Sequence, residues 1–290
     1  MDKIIQKNIH DGEICIITLN RPDVLNSLNR PLVEAILKSI EECQEDKSIR
    51  SIILTGNGRG FCAGADLAGG DWPIEEGWSS GKSTANAMEI GFNPLVRSIV
   101  SSKKPVISAI NGIAAGGGVG LALCADIVIA AESAKFKLVF APQLGIIPDV
   151  GATWLVPNLI GRAKANGLAL LGDDLDAKTA YNWGLIWKCV PDNELLDVAI
   201  SIAKRISDSA IRGLKAVVAA HDHALISTLD QQLDYERDTQ EYFCDQDEFK
   251  EGVKAFIEKR KPNFRNIKNV DDINISRKSV KEQLTKNEKL

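Results

Sequence analysis

KKPVISAINGIAAGGGVGLALCADIVIA, residues 103–130, decides the fold class. The apolar run after Pro105 predicts a strand that ends in a turn at Asn111-Gly112. Gly116-Gly117-Gly118 reads as a tight turn opening a helix, and residues 127–130 return as a strand. A strand, a glycine turn, a helix and another strand in so short a stretch predict an α/β core.

Working outward, residues 3–20 read as a hairpin about Asp11-Gly12, and 21–30 as a polar loop. Residues 31–46 have helical periodicity with Pro31 in the first turn. SIILTG (51–56) is a short buried strand leading into the glycine-rich loop GNGRGFCAGADL (56–67). Residues 69–91 are rich in Gly, Ser and Trp, lack periodicity, and predict a mobile surface segment. Beyond Gly151 the pattern is mostly helical, with long amphipathic stretches from Ala210 to Lys259. From Pro262 the chain is charged and nearly free of core residues, which predicts a disordered tail.

The 290 residues are 44% hydrophobic and 26% charged, the balance of a soluble globular protein with a large core. A net charge of −4 argues against a nucleic-acid surface. Cys15, Cys43, Cys62, Cys124, Cys189 and Cys244 form no C-x-x-C pair and read as reduced thiols rather than metal ligands. No signal peptide, membrane-length apolar run or C-terminal address is visible, so a cytoplasmic location with no membrane contact is expected.

Several motifs mimic nucleotide sites. WSSGKST (78–84) has Glu76 where a P-loop needs glycine, and no strand precedes it. GNGRGF (56–61) and GGGVGL (116–121) end in Phe61 and Leu121 rather than the last glycine of a dinucleotide fingerprint. Both glycine loops would still let backbone N–H groups approach an anionic oxygen, although tight turns alone would also account for them. His10, His221 and His223 lie far in sequence from either loop, which disfavours a Ser-His-Asp triad and a metal cluster. Asp66 reads as a fixer of its glycine loop or a cap, and Asp126 as a structural acid. Asp149, in LGIIPDVGATW (144–154), is open between capping the helix near Gly151 and doing chemistry.

Taken together, LNRPDVLNSLN (19–29), GRGFCAGADL (58–67), residues 103–130, FKLVFAPQLGIIPDVGATWLVPNLIGRAKA (136–165) and AFIEKRKPNF (255–264) resemble the enoyl-CoA hydratase/isomerase, or crotonase, superfamily. GLALLG (167–172), NWGLIWKCV (182–190) and LDQQLDYERDTQ (229–240) carry a narrower resemblance to its ring-1,2-epoxyphenylacetyl-CoA isomerase branch. The resemblance implies a spiral of ββα units over residues 1–200, a helical oligomerisation region over 201–265 and a charged tail over 266–290. It implies homotrimers or hexamers, an acyl-CoA thioester as substrate, and no metal or cofactor beyond the coenzyme A of the substrate.

By the same resemblance, the Ala65 and Gly117 N–H groups form an oxyanion hole. Coenzyme A is met by Val24, Leu25, Asp66, Leu67, Phe256 and Lys259, and the acyl chain by Phe140, Leu144 and Ile147. The two glutamates of the hydratases fall on Gly120 and on Phe140 or Ala141, so neither is present. The isomerases keep an acid at Asp149, whose pKa an apolar wall of Phe140, Leu144, Ile146 and Ile147 would raise. A related dehalogenase pairs its acid with a tryptophan where this chain has Ala141, and uses a histidine that no residue between His10 and His221 supplies. The expectation is therefore an acyl-CoA isomerase with Asp149 as acid and base. A hydratase, or a crotonase-fold binding protein without turnover, stands as the alternative.

Overall fold

The computed structural model describes residues 4–265 and 267; except for Ile267, the expected charged tail over 266–290 lies outside them. The chain divides into two compact units, residues up to 102 with 106–203, and residues 103–105 with those from 204 onward.

The first unit is built from repeated strand–strand–helix turns. β1 (Ile5–His10) and β2 (Ile14–Leu19) form the antiparallel hairpin. Asp11 and Gly12 both have positive φ (51° and 74°), the left-handed pair that a right-twisted hairpin requires. After α1 (Arg30–Glu45) come β3 (Ser51–Gly56) and β4 (Gly60–Cys62). Two helices follow, α2 (Ser80–Ala87) and α3 (Asn93–Val100). Then come β5 (Val106–Ile110), β6 (Ile113–Ala115) and α4 (Gly117–Leu123), followed by β7 (Ile127–Ala131) and β8 (Lys135–Lys137). α5 (Ala152–Ile160), α6 (Arg162–Leu171), β9 (Leu175–Asp176), α7 (Ala177–Trp183) and β10 (Lys188–Val190) complete this unit, and α8 (Leu195–Ser207) crosses its boundary.

One strand of each turn joins a six-stranded sheet, in the order β1-β2-β3-β5-β7-β10, and the next joins a four-stranded sheet, β4-β6-β8-β9. Successive turns pair in parallel, β3 on β5 on β7 and β4 on β6 on β8, so the chain advances as a ββα spiral. Ile52, Ile53 and Leu54 of β3 are all buried, so both faces of the strand are covered and its sequence shows no alternation. Each such side chain contributes roughly 1.5–3 kcal/mol of burial. α1 places Leu32, Ile36, Ile40 and Cys43 on one buried face, and the Asn29 side chain caps it by accepting the Leu32 N–H at 3.1 Å.

Part of the segment over 69–91, which the sequence reads as aperiodic, is helical. Ser79 caps α2 by accepting the Lys82 N–H at 3.2 Å, and Met88–Phe92 form a π turn that leads into α3. The sequence does not signal this helix, because α2 buries only Ala87, which leaves no apolar stripe in SGKSTANA. The preceding loop is tied down as well. The Gly70 carbonyl accepts the Arg30 N–H at 2.8 Å, and the Trp72 ring lies 5.0 Å from that of Phe92. That ring occupies the space where a side chain at Gly91 would be.

In the second unit, α9 (Ile211–Ala224), α10 (Leu229–Cys244) and α11 (Asp247–Ile257) carry the long amphipathic stretches. Thr228 and Gln231 close a capping box at the start of α10. His223 stacks on Tyr235 with centroids 4.3 Å apart and meets the Gln232 carboxamide at 2.7 Å, a packing role. Phe249, Val253, Phe256 and Ile257 of α11 remain exposed. Among the described residues no helix is long and apolar enough to cross a membrane.

The loop between β2 and α1 hangs on one buried side chain. Asn26 sits at φ 56°, and its Nδ2 donates to the Asn57 carbonyl at 3.0 Å and the Gly60 carbonyl at 2.8 Å. Its Oδ1 accepts the Arg21 N–H at 2.7 Å. Asn26→Ala leaves these partners unsatisfied and is expected to cost about 3 kcal/mol. Thermal unfolding should show this as a fall in Tm of roughly 6–12 °C.

Candidate active site

The first wall of the site is the loop after β4. Leu28 and Ala65 form a parallel bridge in which the Leu28 N–H donates to the Gly64 carbonyl at 2.7 Å and the Asp66 N–H to the Leu28 carbonyl at 3.0 Å. The bridge uses the groups on either side of Ala65, so the Ala65 N–H points away from Leu28. Asp66 holds the loop in place. Its Oδ2 accepts from Arg21 Nη2 at 2.8 Å, and its Oδ1 accepts the Ala68 and Gly69 N–H groups at 3.2 and 3.0 Å. The Arg21 guanidinium, aided by these two N–H groups, keeps the Asp66 carboxyl below its ordinary pKa. Asp66 is therefore a fixer of its loop.

The second wall is the turn from β6 into α4. Gly116 lies at φ 53°, ψ −130°, a conformation that an L-residue rarely adopts, and α4 starts at Gly117. Gly64 is the point of contact between the walls. A methyl group on it would stand 2.8 Å from the Ala115 carbonyl oxygen and 2.9 Å from the Gly117 nitrogen. Ala65, next in sequence, is thereby brought alongside Gly117. Neither N–H has a backbone acceptor among the described residues.

The third element is the turn before α5, with Val150 at φ 50° and Gly151 at φ 80°. The capping alternative for Asp149 does not hold. Gly151 is the N-cap of α5 and no side chain caps it, while Asp149 contributes only its carbonyl, accepting the Ala152 N–H at 2.9 Å. Its carboxylate turns toward the glycine walls instead. The position a methyl group would take on Gly117 is 3.4 Å from Asp149 Oδ1 and 2.9 Å from Val150 Cγ2. Burial pushes the Asp149 carboxyl up to about 6, against a partly offsetting bond from its own N–H.

Gly120, one of the two positions at which a hydratase acid is expected, faces the same turn. A Cβ there would collide with the Val150 carbonyl, so this position is closed by backbone. Phe140 and Ala141, the other expected acid position, begin a π turn over Phe140–Leu144.

The expected apolar wall is corrected in part. Phe140 is buried, but Leu144, Ile146 and Ile147 are exposed, Ile147 by 78%. The π turn and Gly145, at φ 68°, carry that strip to the surface of the chain. The apolar groups at the Asp149 turn are instead Val150 itself, with Leu155 and Val96 beside Gly151.

Of the other expected residues, Leu25 is half-buried at φ 51° and its carbonyl accepts the Ala63 N–H at 2.9 Å, which joins the Val24–Leu25 turn to the first wall. Val24 and Leu67 are exposed. Phe256, on α11, and Lys259, just beyond it, belong to the second unit; Phe256 is 85% exposed. Asp126 is a structural acid, accepting the Val106 N–H at 2.7 Å. No cluster of three or more His, Cys, Asp or Glu able to hold a metal occurs among the described residues. Two contributors have no signature in the sequence: Arg21, which anchors Asp66, and Val150, whose backbone conformation no propensity predicts.

The sequence profile of the family described as enoyl-CoA hydratase/isomerase matches residues 10–267. The chain is 44% identical over 264 residues to the 1,2-epoxyphenylacetyl-CoA isomerase of Escherichia coli K12, covering 91% of this chain and 99% of that protein. It is 35% identical over 260 residues to the crotonyl-CoA hydratase of Syntrophomonas wolfei, covering 88% and 95%. The crystal structure of an enoyl-CoA hydratase from Bacillus anthracis superposes with a TM-score of 0.83 at 32% identity, covering 91% of this chain and 99% of that one.

The raised Asp149 carboxyl has a consequence for stability. A group with an elevated folded pKa binds a proton in the folded state that the unfolded chain has released, so stability falls as pH rises through the window from 3.8 to about 6. Above that window the full cost applies, on the order of 2 kcal/mol after allowance for partial exposure. Asp149→Asn, whose amide does not ionise, should melt several degrees above the parent at pH 8. At pH 4 the two should differ little, which thermal scans across pH will read directly.

Proposed function

Since the chain belongs to the enoyl-CoA hydratase/isomerase family, we propose that it is an acyl-CoA isomerase in which Asp149 is the sole proton carrier. The observation that carries this reading is the Asp149 carboxylate lying against Gly117 while the Val150 backbone closes Gly120. One acid faces the glycine walls, and the place for a second is filled.

In this reading the thioester oxygen of the substrate accepts from the Ala65 and Gly117 N–H groups. Such preorganised donors are each worth about 2.7–4 kcal/mol as negative charge develops on the oxygen. Asp149 removes a proton from the carbon next to the thioester, and the electron pair moves onto the carbonyl oxygen. With a 3-enoyl substrate the protonated acid returns the proton to the far end of the conjugated system, so the double bond shifts to the 2-position. With a ring-1,2-epoxide thioester the bond between the two epoxide carbons opens to a seven-membered ring, and the proton moves from the side-chain carbon into that ring. Atoms balance in both cases without water. A carboxyl near 6 suits a group that must first accept a proton and then give it back.

The likeness to the E. coli isomerase favours the aromatic substrate and a place in phenylacetate breakdown, and Trp72 packed on Phe92 offers rings to meet it. Val24, Leu25, Asp66 and Leu67 are assigned to coenzyme A; Phe256 on α11 and Lys259 just beyond it, on the second unit, are assigned to it by the resemblance alone. A lysine facing a phosphate is chemically apt. Trimers or hexamers fit the exposed apolar residues of α11, which a neighbouring subunit would cover.

Asp149→Asn is expected to bind acyl-CoA with little change and lose about 100-fold or more in turnover. The parent should show kcat/KM rising with pH through a limb near 6, since the ionised acid is the base. Full activity in the variant would sink the assignment. Product analysis by mass and NMR on 3-enoyl and ring-epoxide thioesters settles the acyl group.

Likeness to the crotonyl-CoA hydratase keeps water addition as a second reading. Gly120→Glu should destabilise the fold and confer no water addition. Labelled solvent oxygen in a 3-hydroxyacyl-CoA product, from parent or variant, would favour the hydratase.

A further inference from the structure

We propose that Val150 is a positioning residue for the isomerisation, its left-handed backbone and buried side chain fixing the Asp149 carboxylate beside the Gly117 donor. This rests on the reading of Asp149 as the proton carrier.

Three observations converge on Val150. It lies at φ 50°, a conformation that is sterically costly for a β-branched residue, and among the described residues none of the other non-glycine residues at positive φ is β-branched. It is 3% exposed, so the conformation is held by packing rather than tolerated at a loop tip. It also touches α4 through both its backbone and its side chain. Its carbonyl sits where a Cβ of Gly120 would be, and its Cγ2 lies against Gly117. Gly117 and Gly120 are three apart and share one face of the helix, so Val150 grips that face at two points. Asp149 is covalently next to this grip, and among the described residues the hydrogen-bond donor that acts on its carboxylate is its own N–H.

A relaxed backbone at Val150 would let the Asp149 side chain swing away from Gly117 into solvent. The carboxyl would then lose the burial that raises it. The elements packed on this turn supply no charge that could do the same work. α4 (GGVGLAL) and α5 (ATWLVPNLI) contain no titratable side chain, and α3 carries only Arg97, which is exposed.

The test compares Val150→Ala, Val150→Leu and Val150→Ile. Alanine removes the side chain that contacts Gly117. Leucine moves the branch off Cβ and adds one methylene, and isoleucine adds the same methylene, so the two differ only in the branch. Isoleucine keeps the branch. Alanine and leucine are expected to lower kcat about 10- to 100-fold with KM within about threefold, as misplacement of a reacting group does. Isoleucine should restore most of the turnover. In parallel, carbon-13 NMR of aspartate-labelled protein, with the Asp149 signal identified by its absence in Asp149→Asn, should show the midpoint falling from about 6 toward the ordinary 3.8 in the alanine and leucine variants. If alanine does not give folded protein, leucine carries the same comparison.

Unchanged kcat together with an unchanged midpoint in a folded variant would overturn the role of Val150. If Asp149→Asn retains full turnover, the reading of Asp149 fails instead. The NMR midpoint then still reports whether Val150 places that carboxylate.

Discussion

Everything at the candidate site depends on how closely two backbones approach at Gly64. The loop after β4 and the turn into α4 meet there with no side chain between them, so that a methyl group on Gly64 would stand 2.9 Å from the Gly117 nitrogen. Any other residue would push apart the two N–H groups on which the oxyanion assignment rests. The two parallel sheets serve this contact. β4 and β6 are neighbours in the smaller sheet, so the loops that leave them emerge side by side. Arg21 and Asp66 then fix the outer loop with an ion pair at 2.8 Å, and the half-buried position of both side chains shields it from solvent.

The character of the Asp149 turn comes from emptiness as much as from groups. Asp149 is raised by burial alone, with no neighbouring charge acting on it. The same turn that carries it fills the space beside Gly120 with main chain. A single turn thus provides the acid and denies room for another.

The ββα core was legible because its signals are local. Apolar runs, Asp11-Gly12 and the triple glycine each state their own conformation. The helix at Ser80–Ala87 was not legible, since it buries one alanine and has no apolar face to betray it. At the site, Ala65 and Asp149 stand in loops and Gly117 opens α4, and the structure brings the three segments together. Their adjacency is a property of sheet order and could not be read from spacing. The apolar wall misled in a different way. Leu144, Ile146 and Ile147 are hydrophobic but exposed in this chain, because a π turn and a left-handed glycine send the strip outward. Composition says that a residue is apolar, but not which way the backbone presents it.

The π turn at Met88–Phe92 bears on how such a frame diversifies. A π turn is an α-helix holding one surplus residue, which is accommodated as a bulge rather than by shifting the rest of the chain. Here it lies between α2 and α3, beneath Trp72 and one helix away from β5. Gain or loss of that residue would rotate α2 and its loop by about a quarter-turn relative to α3. The register of the sheets would be untouched. Changes of length, rather than exchanges of side chain, are therefore the gentlest means of reshaping this side of the molecule.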